Sequence, residues 1–344
     1  MKKLLFALAA MLLMVFSGCG GKRTLYIYNW GDYISPEVVK KFEKEFNCRV
    51  ALDFFDSNQS MYAKLKAGGG GYDIVVPSTY MTDMMQDQKM LQKLDHAKLP
   101  NLKHIDPDYL KKVRDSKMEY SVPYLISFTG IGYNKKRIKN VEPSWHVFER
   151  KDIKGRCSLL NDPREVIAAA LMTLGYNPNT RKQEEIDKAV QQVLKWRGTI
   201  AKFDVDEAKR SLISEEFWLI HAYSGDILQA QDENSEIEFI FPKEGHIFTA
   251  DTFVIPTDAS NPDLAYEFIN FMHRPEIAAE NMNFVKYRSP NLEALTKINP
   301  ALKSKPTINP TKEQWNAAQP ILDLGADTKL YHAAWDKIKS GSSD

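Results

Sequence analysis

Tyr72-Asp73-Ile74-Val75-Val76-Pro77-Ser78-Thr79-Tyr80 carries a short strand over 73–76 that ends at a proline, two hydroxyls and an aromatic ring. A brief apolar run bounded by Gly68–Gly71 and Pro77 reads as a buried strand, because glycine stops the helix before it and proline cannot extend the ladder after it. Working outward, Leu25–Trp30 and Arg49–Phe55 read as two earlier strands. Between them, Ser35-Pro36-Glu37 opens a helix: a hydroxyl cap, proline at the first turn and an acid at the positive end of the dipole. Val38, Val39, Phe42 and Phe46 supply that helix's apolar face, and Met61, Tyr62 and Leu65 belong to a second helix. Strands alternating with helices imply a mostly parallel sheet with right-handed crossovers. Ligands in such sheets lie outside the carboxyl ends of the strands, where Trp30 and Ser78 fall.

The second half has the same style without an internal repeat. Arg156–Asn161, Phe217–Ala222, Glu236–Phe241 and Ile247–Ile255 read as strands. Helices follow at Asp162-Pro163-Arg164-Glu165, over about 184–196, after Tyr223-Ser224-Gly225-Asp226 and from Pro262 onward, with proline-rich breaks between Asn299 and Pro310. The 344 residues suit two α/β domains rather than one core. There is no GxGxxG, P-loop, HExxH or GxSxG motif, and Gly68–Gly71 follows a helix and lacks the Lys-Ser/Thr of a phosphate loop. The seven histidines show no metal spacing, so neither a metal nor a cofactor is expected.

The first residues concern the compartment. Lys2 and Lys3 precede an apolar run, Leu4–Phe16, followed by Ser17, Gly18 and Cys19. That is the layout of an export signal, too short for a comfortable membrane span. The small-small-Cys ending resembles the bacterial lipobox, which implies cleavage after residue 18 and acylation of Cys19; an ordinary secretory signal cut nearby is the alternative. The formal charge, +1, becomes −1 without Lys2 and Lys3, so no basic excess favours nucleic acid. Cys48 and Cys157 have no redox or metal spacing and read as buried free thiols.

The predicted strand ends collect Trp30, Asp32, Tyr33, Ser78, Tyr80, Asp162, Glu165, Tyr223, Asp226 and Asp251, and a later loop brings Tyr287. This set is rich in carboxylates and rings and contains no cation. It suits a cationic ligand with an apolar stem: carboxylates bond ammonium groups, and ring faces cover methylenes and attract cations. An anionic ligand would need Arg, Lys or helix N-termini instead. Asp162 and Glu165 also have the spacing of a capping box, with Pro163 at the first helical position.

The segments 25–33, 61–66, 72–80, 162–166, 241–245 and 287–291, taken in order, resemble the spermidine/putrescine-binding proteins of bacterial ABC importers along nearly the whole mature chain. The resemblance implies a two-lobe α/β periplasmic binding protein fold of the type II kind, with the ligand in a cleft between lobes joined by hinge crossovers. It implies a signal over 1–18, a lipidated Cys19 and linker over 19–23, one lobe from 24–129 with 252–296, and another from 130–251 with 297–344. Trp30, Asp32, Tyr33, Ser78 and Tyr80 map to the first wall, Asp162, Glu165 and Tyr223 to the second, and Asp251 and Tyr287 near the hinge and far wall. Tyr223 stands where the family usually has Trp, Thr249 where it has another aromatic, and Ile321 near a family Gln. Asp226 resembles the extra acid of the putrescine-type members, pointing to putrescine binding at least as tight as spermidine. The implied partners are a polyamine, an inner-membrane permease with its ATPase, and membrane lipid through Cys19, in the periplasm or at the outer face of the cell membrane. The rival readings are a polyamine sensor without a transport role and an amine-processing enzyme using Asp162 and Glu165, for which no nucleophile or cofactor motif is present.

Overall fold

The computed structural model describes residues 22–341, so the expected signal and Cys19 lie outside the described residues. The first unit alternates β1 (Thr24–Trp30), α1 (Pro36–Glu45), β2 (Arg49–Phe55), α2 (Asn58–Lys66), β3 (Ile74–Val75) and α3 (Thr79–Asp87). Its sheet runs β2-β1-β3, all parallel, with Thr24 to Trp30 in register with Arg49 to Phe55 and Ile27 opposite Ile74. Phe42 of α1 is fully buried beneath β1 with Leu25, Ile27, Val38 and Phe268, a side chain worth about 1.5–3 kcal/mol when removed from water. The Ser35 side chain makes no capping bond to α1; its backbone N–H instead donates to Asn281 Oδ1 at 2.9 Å.

The larger sheet corrects the expectation of mostly parallel strands. It is built on β4 (Val122–Asn134), a 13-residue strand absent from the sequence reading. After it come β5 (Cys157–Leu159), α4 (Pro163–Thr173), α5 (Gln183–Arg197), β6 (Lys202–Phe203), α6 (Asp206–Ile213), β7 (Leu219–Tyr223), α7 (Ser224–Glu233), β8 (Ile237–Ile240) and β9 (His246–Phe253). α8 (Pro262–Met272), α9 (Pro275–Val285), β10 (Ala318–Pro320) and α10 (Thr328–Ser340) complete the chain. The order is β10-β9-β4-β7-β5-β6, with β8 also on β4. β4 is antiparallel to β7, β8 and β9, whereas β5 is parallel to β6 and β7. Gly130 makes this crowding possible: a β-carbon there would lie 2.5 Å from the Phe239 ring and 2.7 Å from the Ile240 carbonyl. A second core gathers Trp145, Phe148, Leu159, Val166, Trp196, Leu219 and Tyr331.

β4 and β9 connect the two units. Val122 pairs with Phe253 and Phe128 with Phe248, while isolated bridges join Val75 to Val254 and Ser78 to Asp251. Both strands therefore run from the small parallel sheet into the large mixed one. Residues 129 and 251, where the sequence reading divides the lobes, fall inside these strands. Cys48 and Cys157 are free and buried, one in each core.

Candidate functional site

A cleft of about 860 Å³ separates the two units, within the ~300–1,000 Å³ typical of small-molecule sites. On its first wall the chain leaves β1 through Asp32, which takes the left-handed backbone conformation (φ 53°) that Asn and Asp tolerate best after glycine. That turn leaves Asp32 exposed and sends Tyr33 inward. Trp30 is half-buried, its indole N–H donating to the Val76 carbonyl at 2.9 Å and its ring packed on Phe55 with centroids 4.4 Å apart. Ser78, just before α3, is locked by Asn58: the Asn58 amide donates to its Oγ at 3.0 Å and the Ser78 backbone N–H donates back at 3.1 Å.

Asp251 sits on β9 where the strands cross. It is 7% exposed. Ser78 Oγ donates to one carboxylate oxygen and the Tyr33 hydroxyl to the other, each at 2.7 Å. Burial pushes its pKa from 3.8 up to about 6, and the two hydroxyls hold that rise back. Tyr33 is itself fixed by edge-on contacts with Tyr124 and Tyr287, the latter at 5.0 Å. Tyr124 donates to the Tyr33 carbonyl at 2.6 Å.

On the second wall Asp162 caps α4, accepting from the backbone N–H groups of Arg164 at 2.8 Å and Glu165 at 3.2 Å. The other half of a capping box is missing. Glu165 instead accepts from Thr129 Oγ1 at 2.9 Å and Thr249 Oγ1 at 3.1 Å. Burial, then the neighbouring Asp162, raises the Glu165 carboxyl well above the usual carboxylate range; burial also raises Asp162, against the pull of its two N–H donors. Tyr223 ends β7, and the raised pKa of its phenol reflects burial first and then Asp162 and Glu165. Tyr287 donates to Asp226 Oδ1 at 3.1 Å. Its ring lies over Gly225, where a β-carbon would approach within 2.2 Å of it, so only glycine admits the ring there.

Trp30, Asp32, Tyr33, Ser78, Asp162, Tyr223, Asp226, Asp251 and Tyr287 all line the cleft. Glu165, 3% exposed, stands behind Thr249 and Thr129 rather than on the lining, and Tyr80 is packed at the margin against the Met81–Met85 and Ile321 clusters. Ile321 packs with Ala168, Met172 and Ile247 and does not face the cleft. The sequence reading missed the turn after β2 and the start of α2, with Asn58 and Gln59, and the face of α6 that brings Lys209, Arg210 and Ile213 to the lining. The expectation of a lining without cations is thereby corrected. α6 is eight residues long and largely charged, too short for an apolar period to mark its inward face. Arg164 does not add to these cations: its guanidinium turns to the Leu322 carbonyl and Asn179.

Two α/β units, joined by continuous strands and facing each other across a cleft with walls from both, define a solute-binding protein. Residues 37–311 match the bacterial extracellular solute-binding protein family. The spermidine/putrescine-binding periplasmic protein of Escherichia coli K12 is 36% identical over 99% of this chain and 98% of its own length. The putrescine-binding periplasmic protein PotF of the same organism is 34% identical over 99% and 98%. Among solved structures, the TpPotD lipoprotein of Treponema pallidum has a TM-score of 0.83 at 34% identity, covering 92% of this chain and 99% of that one. The spermidine/putrescine transporter substrate-binding protein PotD of Streptococcus pneumoniae has a TM-score of 0.84 at 31% identity, covering 93% and 99%. The chain belongs to the extracellular solute-binding proteins, in the spermidine/putrescine-binding family. Membership places its body outside the cytoplasm, and no described helix is long and apolar enough to cross a membrane.

Proposed function

We propose that the cleft captures a polyamine, putrescine or spermidine, and delivers it to an ABC importer made of a permease and its ATPase. The observation that carries this reading is Asp251: a buried carboxylate, pre-oriented by two hydroxyls beside Trp30, Tyr33 and Tyr287. A buried charge of this kind is tolerable when it is paired, and an ammonium is its natural partner. The rings cover the methylenes between amines. Asp162, with Glu165 behind it, offers a second ammonium its place on the opposite wall. Ligand bridging both walls favours the closed arrangement of the lobes, and the importer recognises that closed pair. The named ligands of the E. coli relatives agree with this chemistry.

The anchor belongs to the same proposal. Acylation of Cys19 would hold the body at a membrane surface beside its permease, and the T. pallidum structure is of a lipoprotein. The test of the import role is uptake of labelled putrescine and spermidine by cells that make the protein, before and after deletion of its gene. Loss of high-affinity uptake, restored by the gene in trans, is expected; uptake untouched by deletion would favour the sensor role.

A further inference from the structure

Three acids on the cleft lining are not exposed: Asp162, Asp226 and Asp251. Asp251 is held by hydroxyls and Asp162 by backbone N–H groups. Asp226 differs. Lys209 Nζ lies 3.8 Å from its Oδ1, with the two side chains 22% and 28% exposed. The ammonium is positioned by more than this one charge: it donates to Gln229 Oε1 at 2.7 Å, and the Gln229 amide donates to the Val285 carbonyl at 2.9 Å. Asp226 is steadied in turn by Tyr287. Among the described residues neither Asp162 nor Asp251 forms an ion pair with a Lys or Arg side chain; the Arg164 contact to Asp162 is through its backbone N–H.

We infer that Lys209 is a specificity residue, a resident ammonium that occupies the Asp226 end of the cleft and disfavours a triamine relative to a diamine. This rests on the polyamine reading above. Asp251 and the Asp162–Glu165 wall offer places for two ligand ammoniums. A third, directed to Asp226, meets a carboxylate already paired and a like charge beside it, partly screened from water. Lys209 is carried by α6 and braced through Gln229, so its position is set by the protein and not by the ligand. Asp226 therefore acts through its partner: Asp226→Ser would leave Lys209 as an unbalanced cation in the cleft and weaken both polyamines, spermidine more.

The experiment is calorimetric titration of the chain after Cys19 with putrescine and with spermidine. It compares wild type, Lys209→Met, Lys209→Gln and the double variant Lys209→Met/Asp226→Asn. Removing the ammonium alone should move the ratio of dissociation constants at least fivefold toward spermidine, with Lys209→Gln moving it in the same direction. The double variant, neutral at this end as the wild-type pair is, should return to within about threefold of the wild-type ratio, since the gain depends on the released carboxylate. A smaller shift in both single variants, or one that persists in the double variant, overturns the assignment. Wild-type protein that binds neither amine would instead sink the polyamine reading on which it rests.

Discussion

Replacing Asp251 by asparagine removes one charge and little shape from the crossing strand. The carboxylate accepts from Ser78 Oγ and Tyr33 Oη, each at 2.7 Å. Ser78 also accepts from Asn58, so its own proton is committed to residue 251. In Asp251→Asn the new amide oxygen would keep that bond, and the new NH₂ would face the Tyr33 oxygen, leaving the phenol proton without its acceptor. An unsatisfied buried donor costs about 1–3 kcal/mol. Against this, the rise from 3.8 to about 6 means that ionising Asp251 is opposed in the fold. A carboxyl with a raised folded pKa contributes stability below its unfolded value and loses it as pH rises through about 6, by about 3 kcal/mol here. At pH 7.5 the two effects nearly offset, so ligand-free Asp251→Asn should melt within a few degrees of wild type. Binding is another matter. Leaving a buried ammonium without its charge partner costs about 3–5 kcal/mol, a weakening of about a hundredfold or more. Calorimetric titration and thermal melting of the same samples separate the two. Wild-type affinity in Asp251→Asn, or a loss of affinity matched by a collapse in melting temperature, would refute the assignment of Asp251 as the ammonium's partner.

The second wall separates capping from binding. Asp162→Ala should lower stability by about 0.5–2 kcal/mol through loss of the cap, whereas Glu165→Gln should leave melting nearly unchanged and weaken polyamine binding; the reverse pattern would remove Glu165 from the site. Because burial raises both carboxyls, and Asp162 raises Glu165 further, ammonium binding should be accompanied by proton release, and affinity should fall as pH drops. Binding heats that are identical in buffers of different ionisation enthalpy would contradict that. Cys19→Ala should abolish fatty-acid labelling; unchanged incorporation in the variant would exclude the anchor.

The small parallel sheet was legible because each of its strands is short, apolar and punctuated, β3 by glycines and Pro77, and β1 by the Trp30-Gly31-Asp32 turn. β4 was not. Pro123 and the glycines at 130 and 132 look like breakers, yet Gly130 serves the close approach of β8. Missing β4 hid the antiparallel heart of the larger sheet and its crossing into the first unit. At the site, the residues read at strand ends fall on the cleft lining because strand ends face the cleft. Glu165 and Tyr80 fell behind or beside the lining, since neighbouring threonines and apolar clusters claim them. Lys209 was missed because α6 spans little more than two turns, and buried Ala208 and Leu212 alone do not announce which of its charged residues turns inward.

Calorimetric titration of wild-type protein, residues 20–344, with putrescine, spermidine and a zwitterionic amino acid tests the central claim most directly. The account predicts saturable one-to-one binding of at least one polyamine and no detectable heat of binding from the amino acid, whose carboxylate would meet an acidic, aromatic cleft in which the lining cations Lys209 and Arg210 are already paired with Asp226 and Glu207. Absence of binding by both polyamines, or an amino acid that binds as tightly, would contradict it.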